Sequence, residues 1–221
     1  MPDTGPASTP PPVARVPRTR DSEAAKARLL QAATEEFAEY GIAGARIDRI
    51  GVAAKVNKAQ IYTYFGNKDQ LFDIVMDTHV AHVMDQVPFT PGDLPGYAGR
   101  LFDFLLANPH QLRLATWNRL ERAGRGNGPA QLAASMRQKT EAIAEAQDGG
   151  QVPNTFTAED LLTFVLALAT AWTPTSAMAP DDDPDPSGLR SHRGAVVEAV
   201  RRLVADHDPR PTRPPRPAGK R

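Results

Sequence analysis

An all-helical fold is predicted by three features of this sequence. Apolar residues recur at spacings of three and four from Leu30 to Val204, the period of helices that bury one face. No run of alternating β-branched residues is long enough to demand a strand. The pattern Asn-x-x-Gln, which caps a helix by exchanging side-chain and backbone hydrogen bonds, occurs at Asn57/Gln60 and again at Asn67/Gln70. With 221 residues, 41% of them apolar, the chain has material for a small domain and a larger one.

Residues 1–20, rich in Pro, Thr and Arg and without periodicity, are predicted to be a disordered arm. The first helix is expected to start at Asp21 or Ser22, either of which can cap it. It carries Leu30, Ala33, Phe37 and Tyr40 on one face as far as Gly41, and Gly41 and Gly44 bracket a short connection. A second helix, Ile47 to Ala54, buries Ile47, Ile50 and Ala54. A third follows the cap Asn57, and a fourth follows Asn67, with Leu71, Phe72, Val75, Met76 and Val83 running toward Pro88.

Beyond Pro95, helices are expected near 97–107, 109–123, 129–147, 157–173 and 188–206. Asn108-Pro109, the glycines of 124–128, Gly149-Gly150 and the acidic 180–186 stretch divide them. The 157–173 helix is apolar around most of its circumference, with Leu161, Leu162, Phe164, Val165, Leu168 and Trp172, so it needs cover on two sides. One cover is its own domain. The other is expected to be a second subunit, with Val196, Val200 and Val204 of the last helix completing a four-helix interface. The acidic stretch, including Asp181, Asp182, Asp183 and Asp185, reads as a solvated connection. The proline-dense basic tail 208–221 reads as disordered.

Several function classes are set aside by composition. Cysteine is absent, which excludes disulfides, thiolate metal sites and cysteine nucleophiles. There is no phosphate-cradling glycine loop, nucleophile elbow, H-E-x-x-H or paired acid/base motif, so an enzyme is not expected. His79 and His82 lie one turn apart without a third ligand, so neither a metal nor another cofactor is expected. The most apolar stretch, Leu161 to Trp172, is too short to cross a bilayer. The N-terminal segment lacks the apolar core of a secretory signal, and the expected location is the cytoplasm.

The formal net charge is zero but regionally uneven: over Arg15 to Asp69 ten basic residues stand against seven acidic ones. Within that span, a short helix, a tight turn and a second short helix held on a third have the geometry of a helix-turn-helix, whose second short helix enters the major groove. Ile61 and Phe65, at i and i+4, must face inward, which leaves Lys58, Ala59, Gln60 and Thr63 facing outward. Lys58 and Gln60 suit base edges, and Ala59 allows close approach or meets a thymine methyl. Tyr62 and Tyr64 can extend their hydroxyls to phosphates, and Lys68 sits at the positive end of the fourth helix, a favourable place for a phosphate. Three alternatives stand beside these roles. Gln60 is spent on its cap, Tyr64 packs on the first helix, or Arg49 pairs with Glu35 or Glu39 instead of DNA.

The segment GIAGARIDRIGVAAKVNKAQIYTYFGNKDQLFDIV resembles the N-terminal domain of the tetracycline-repressor (TetR) family. The resemblance is strongest over VNKAQIYTYFGNKDQLF, which fixes Tyr62, Phe65, Lys68 and Leu71 at once. It covers residues 21 to about 85. It implies a homodimeric repressor of palindromic operator DNA released by a small-molecule effector, with Lys68 on a phosphate and Arg46 as a further DNA contact. Lys55 and Asn57, at the turn, join the DNA-facing set. The implied organisation is an arm at 1–20, a DNA-binding domain at 21–85, an effector and dimerisation domain at 86–207 and a tail at 208–221. The family implies a pocket, for which the large side chains Phe102, Leu106, Trp117 and Leu120, together with Met136, Phe164 and Trp172, are the candidates. The alternative is a DNA-binding regulator gated by a protein partner or by nothing.

The chain departs from the family pattern where Ala-x-x-Ala-Gly-Val is usual. It has Gly51-Val52-Ala53-Ala54-Lys55-Val56, so a lysine stands at the turn glycine. A lysine at positive φ costs on the order of 1 kcal/mol, and Gly51 within a helix is tolerable where a neighbour must come close.

Overall fold

The computed structural model describes residues 18–122, 129–176 and 185–205, and the side chains from Ser22 onward, Pro186 excepted. Residues 1–17 of the expected arm, the whole of the expected tail and the acidic residues Asp181, Asp182 and Asp183 lie outside the described residues, while residues 18–20 of the expected arm are helical. The chain is all-helical, as its periodicity predicts. The helices are α1 (Arg18–Gly44), α2 (Ile47–Ala54), α3 (Lys58–Phe65), α4 (Lys68–Gln86), α5 (Leu94–Ala107), α6 (Pro109–Arg122), α7 (Ala130–Asp148), α8 (Ala158–Ala169) and α9 (Pro186–Leu203). A 3-10 turn, Pro91–Asp93, leads into α5.

The first four helices share one core. Phe37 of α1 meets Phe72 of α4 edge to face at 5.2 Å, with Leu29, Ile50, Ile61 and Leu71 closing around them. The two predicted capping boxes both form. The Asn57 side-chain Oδ1 accepts from the Gln60 backbone N–H at 2.8 Å while the Gln60 side-chain Oε1 accepts from the Asn57 N–H at 3.1 Å. The Asn67/Gln70 pair repeats the exchange at 2.9 Å in both directions. Each box satisfies two of the otherwise orphan N–H groups at the start of its helix.

A second core lies among α5, α7, α8 and α9, around Tyr97, Phe102, Ile143, Leu161 and Val196. Helices α5 and α9 approach closely at Gly99, where an added Cβ would stand 2.9 Å from Val197 Cγ2. Asp185 begins α9 by accepting the Gly188 N–H at 3.0 Å, so this acidic residue is a helix cap rather than part of a loose connection.

Several boundaries differ from expectation: α5 starts at Leu94, ahead of residue 97, α8 stops at Ala169, short of residue 173, α9 runs from Pro186 to Leu203 where 188–206 is expected, and both ends of α1 differ. Helix α1 starts at Arg18, upstream of Asp21. It also continues past Gly41, where φ turns to +70°, for one more short turn to Gly44. The break leaves unsatisfied carbonyls on one side and N–H groups on the other, and α6 supplies both sets of partners. Arg113 donates to the Ala38 and Glu39 carbonyls at 2.7 and 3.2 Å, and the Trp117 indole N–H donates to Ala38 O at 3.2 Å. The Glu121 carboxylate accepts from the Ile42 and Ala43 N–H groups at 3.0 and 2.8 Å. The kink is thus capped from a helix 70 to 80 residues away in sequence, about one turn of partners on each side.

Candidate nucleic-acid interface and effector cavity

Helices α2 and α3 are joined at Lys55, whose φ of 57° and ψ of 44° place it in the left-handed region; it is the one non-glycine residue at positive φ among the described residues. The expected lysine turn therefore forms. The chain folds back so tightly that the Val56 N–H donates to Gly51 O at 3.0 Å. A Cβ on Gly51 would stand 3.0 Å from Val56 O, so the glycine inside α2 makes room for the turn.

Helix α3 buries Ile61 and Phe65 and exposes Lys58, Ala59, Gln60, Tyr62 and Thr63, the division that the i, i+4 spacing predicts. The exposed row is polar and shallow. Lys58 Nζ pairs with Asp48 of α2 at 3.0 Å, and hydrogen bonding to that carboxylate raises the lysine pKa above its ordinary value. The Thr63 hydroxyl donates back to Ala59 O at 2.9 Å. Arg46 is the residue immediately before α2, exposed, with its backbone N–H held by Glu36 at 2.7 Å.

Other members of the expected set are engaged within the protein. Asn57 and Gln60 exchange their polar groups in the capping box. Tyr64 turns toward α1: its hydroxyl accepts from Ser22 Oγ at 3.4 Å, and Lys26 Nζ lies 5.7 Å from its ring centre. This is the packing on the first helix that stands as the alternative for Tyr64. Lys68 donates to Ala43 O and Ala45 O, each at 3.2 Å, so its ammonium fastens the α1–α2 junction instead of pointing outward. Arg49 pairs with Glu36, at 2.6 Å from Nη2, and its guanidinium lies 4.1 Å from the Tyr40 ring centre. The expected partners, Glu35 and Glu39, are not the ones used; Glu39 pairs with Arg113.

A cavity of about 120 Å³ opens among α4, α5, α6 and α7. Its apolar wall includes Met76, Val83, Leu105, Leu112 and Met136, and its polar groups are His79, Gln111, Ser135 and Lys139. A second lobe of similar size shares Met84, Ser135 and Lys139 with it. Three of the five methionines in the chain line this space, where an unbranched thioether can adapt to varied shapes. His79 Nε2 lies 3.1 Å from Thr34 Oγ1 of α1, and burial lowers the imidazole pKa below its ordinary value. Among the described residues no group of three His, Cys, Asp or Glu side chains is arranged to hold a metal.

Of the seven residues expected to line a pocket, Met136 does so in the cavity among α4, α5, α6 and α7. Phe102 is fully buried in the second core, and Leu106 packs at its edge. Trp117 caps the α1 kink, Leu120 beside it is mostly exposed, and both line a separate, more open cavity of about 210 Å³ with Arg113 and Pro174. Phe164 is 39% exposed on α8, and Trp172 stacks on His192 at 4.6 Å. The reason is physical: large rings close space by filling it, and the hollow forms where thinner Met, Val and Leu side chains meet. His79 and Lys139 carried the missed signal, as polar residues at otherwise apolar positions of amphipathic helices.

Comparisons with known proteins agree with this arrangement. Residues 29–75 match the family described as bacterial regulatory proteins, tetR family, and residues 93–202 match the tetracyclin repressor-like C-terminal domain. The chain is 37% identical over 195 residues to the HTH-type transcriptional repressor SCO4008 of Streptomyces coelicolor, covering 84% of this chain and 97% of that protein. Its fold matches the crystal structure of the transcriptional regulator SCO4942 of Streptomyces coelicolor with a TM-score of 0.70 and 36% identity, over 81% of this chain and 97% of that one. A TetR-like regulator from Rhodococcus sp. RHA1 shares the fold at a TM-score of 0.60 and 16% identity, over 86% and 98% of the two chains.

Proposed function

The chain belongs to the TetR family of helix-turn-helix transcriptional regulators, and from that premise we propose that it is a dimeric, ligand-responsive repressor. It binds a palindromic operator with α3 in the major groove and releases it when a small molecule occupies the cavity. The observation that carries this reading is that α4 and α6 form both the cavity wall and the fastening of the DNA-binding helices. Residues Met76 to Met84 of α4 and Gln111 to Ala115 of α6 line the cavity. One or two turns further along, Arg122 of α6 holds Asp69 and Asp73 of α4, and Glu121 caps the α1 kink. A ligand that wedges α4 from α6 therefore bears directly on the orientation of α3.

On the DNA side, Lys58, Ala59 and Thr63 face the base edges in this reading. Tyr62, Arg46 and Lys55 reach the backbone, while Asn57, Gln60, Tyr64 and Lys68 hold the frame that presents them. Catalysis has no part in it, and the place of action is the cytoplasm, where the operator is. No helix among the described residues is long and apolar enough to cross a membrane.

The test is binding of the purified protein to its own upstream intergenic DNA at two salt concentrations, with and without a panel of hydrophobic compounds. The expected result is a salt-dependent complex with two protomers per site, lost when one compound is present. A complex indifferent to every compound, yet dissolved by a protein from the same cell, would replace this reading with the partner-gated one.

A further inference from the structure

Lys139 stands where the two lobes of the cavity meet, on the wall of both. It is 8% exposed. Its ammonium donates to Ser135 Oγ at 3.1 Å and lies 5.9 Å from the Tyr97 ring centre. Among the described residues no carboxylate lies within ion-pair distance of it, although the other buried cation, Arg122, has two. A buried charge without a counter-ion is costly and is ordinarily compensated by pairing. Burial lowers the Lys139 pKa below its ordinary value, and no neighbouring charge offsets that shift.

Resting on the effector reading above, we propose that the cavity is built for an apolar molecule bearing one carboxylate, a fatty or arylalkyl acid, with that carboxylate on Lys139 and Ser135. The charge count supports a monoanion, since among the described residues Lys139 is the one Lys or Arg lining the space. The apolar body lies along Met76, Val83, Leu105 and Met136, and Gln111 and His79 line the main lobe within reach of a second polar group. Such a ligand supplies the missing counter-ion, so its binding gains a charge-assisted hydrogen bond that an alcohol of equal length cannot match. A cationic amphiphile meets repulsion at the same point.

The experiment titrates the full chain with octanoate, 1-octanol and octylammonium by calorimetry, for the native protein and for Lys139→Met and Ser135→Ala. Octanoate is expected to bind at least about tenfold tighter than octanol, with octylammonium weakest. Lys139→Met is expected to abolish the preference while retaining octanol binding, and Ser135→Ala to reduce the preference in part. Equal binding of octanoate and octanol, tighter binding of octylammonium, or a preference that survives Lys139→Met overturns the assignment and leaves the cavity an effector site of other chemistry. Binding of none of the three overturns the carboxylate assignment, whereas the effector reading stands or falls with the operator-release experiment above.

Discussion

The turn between α2 and α3 hangs on the backbone of one residue. Lys55 holds φ 57° because Val56 must donate back to Gly51 O, and a lysine side chain is strained there where a glycine is not. Lys55→Gly is expected to raise stability by about 1 kcal/mol, read as a higher urea midpoint at unchanged slope. The same substitution is expected to lower the salt dependence of operator binding by about one counter-ion if the ammonium reaches a phosphate. A fall in the midpoint would mean that the side chain makes compensating contacts. This conformation was legible in the sequence because a turn is local. So were the Asn57/Gln60 exchange and the inward pair Ile61 and Phe65, each set by spacing within one helix. The partner of Arg49 was not legible. Glu35, Glu36 and Glu39 are all near in sequence, and only the crossing of α1 and α2 selects Glu36, which is buried and also holds the Arg46 N–H. Lys68 shows the same limit, since its carbonyl partners lie 23 and 25 residues upstream.

At the scale of elements, the informative feature is the interrupted end of α1. Gly41 was readable as a place where the helix stops, because glycine alone accepts φ +70° without strain. That the helix resumes was not readable, since the cap that restarts it is Glu121 of α6. The carboxylate does for Ile42 and Ala43 what an N-cap side chain does for an ordinary helix start, with the added pull of a negative charge on N-terminal N–H groups. Glu121→Ala is expected to destabilise this end of α1 by about 1 kcal/mol and to speed hydrogen exchange at the Ile42 and Ala43 amides, with little change in α5, α8 or α9. Unchanged protection at those amides would assign the kink to Arg113 and Trp117 alone. The same substitution tests whether α6 carries information, because it loosens a fastening that lies between the cavity and α3 without touching either.

For the whole molecule, the helical architecture was legible from periodicity, while the cavity was not. A hollow is a property of how four helices miss one another, and no residue type announces it; of the large rings expected there, Phe102 fills a core, Phe164 faces outward, Trp172 stacks on His192 and Trp117 lines a different cavity. The outward ones carry the last consequence. Helix α8 buries Leu161, Leu162, Val165 and Ala169 within its own chain, yet leaves Phe164 39% exposed, with its ring edge on Phe156 at 5.3 Å. Leu168 and Trp172 are half-buried on the same helix and the turn that follows it. An apolar row of this kind at the end of the chain remote in sequence from α3 is suited to a second copy. Two recognition helices on one duplex then gain from each other's binding, by a factor of about 10² to 10⁴ in effective affinity. Phe164→Arg puts a charge into that row at a site that is already partly solvated, so the protomer is expected to keep its helical content. Sedimentation is expected to show a dimer for the native protein and a monomer for the variant, and operator binding is expected to weaken at least about a hundredfold. A dimer that persists with native operator affinity would move the interface off α8. The exposed aromatic would then have to be explained within a single protomer, where Phe156 is the one ring in contact with it among the described residues.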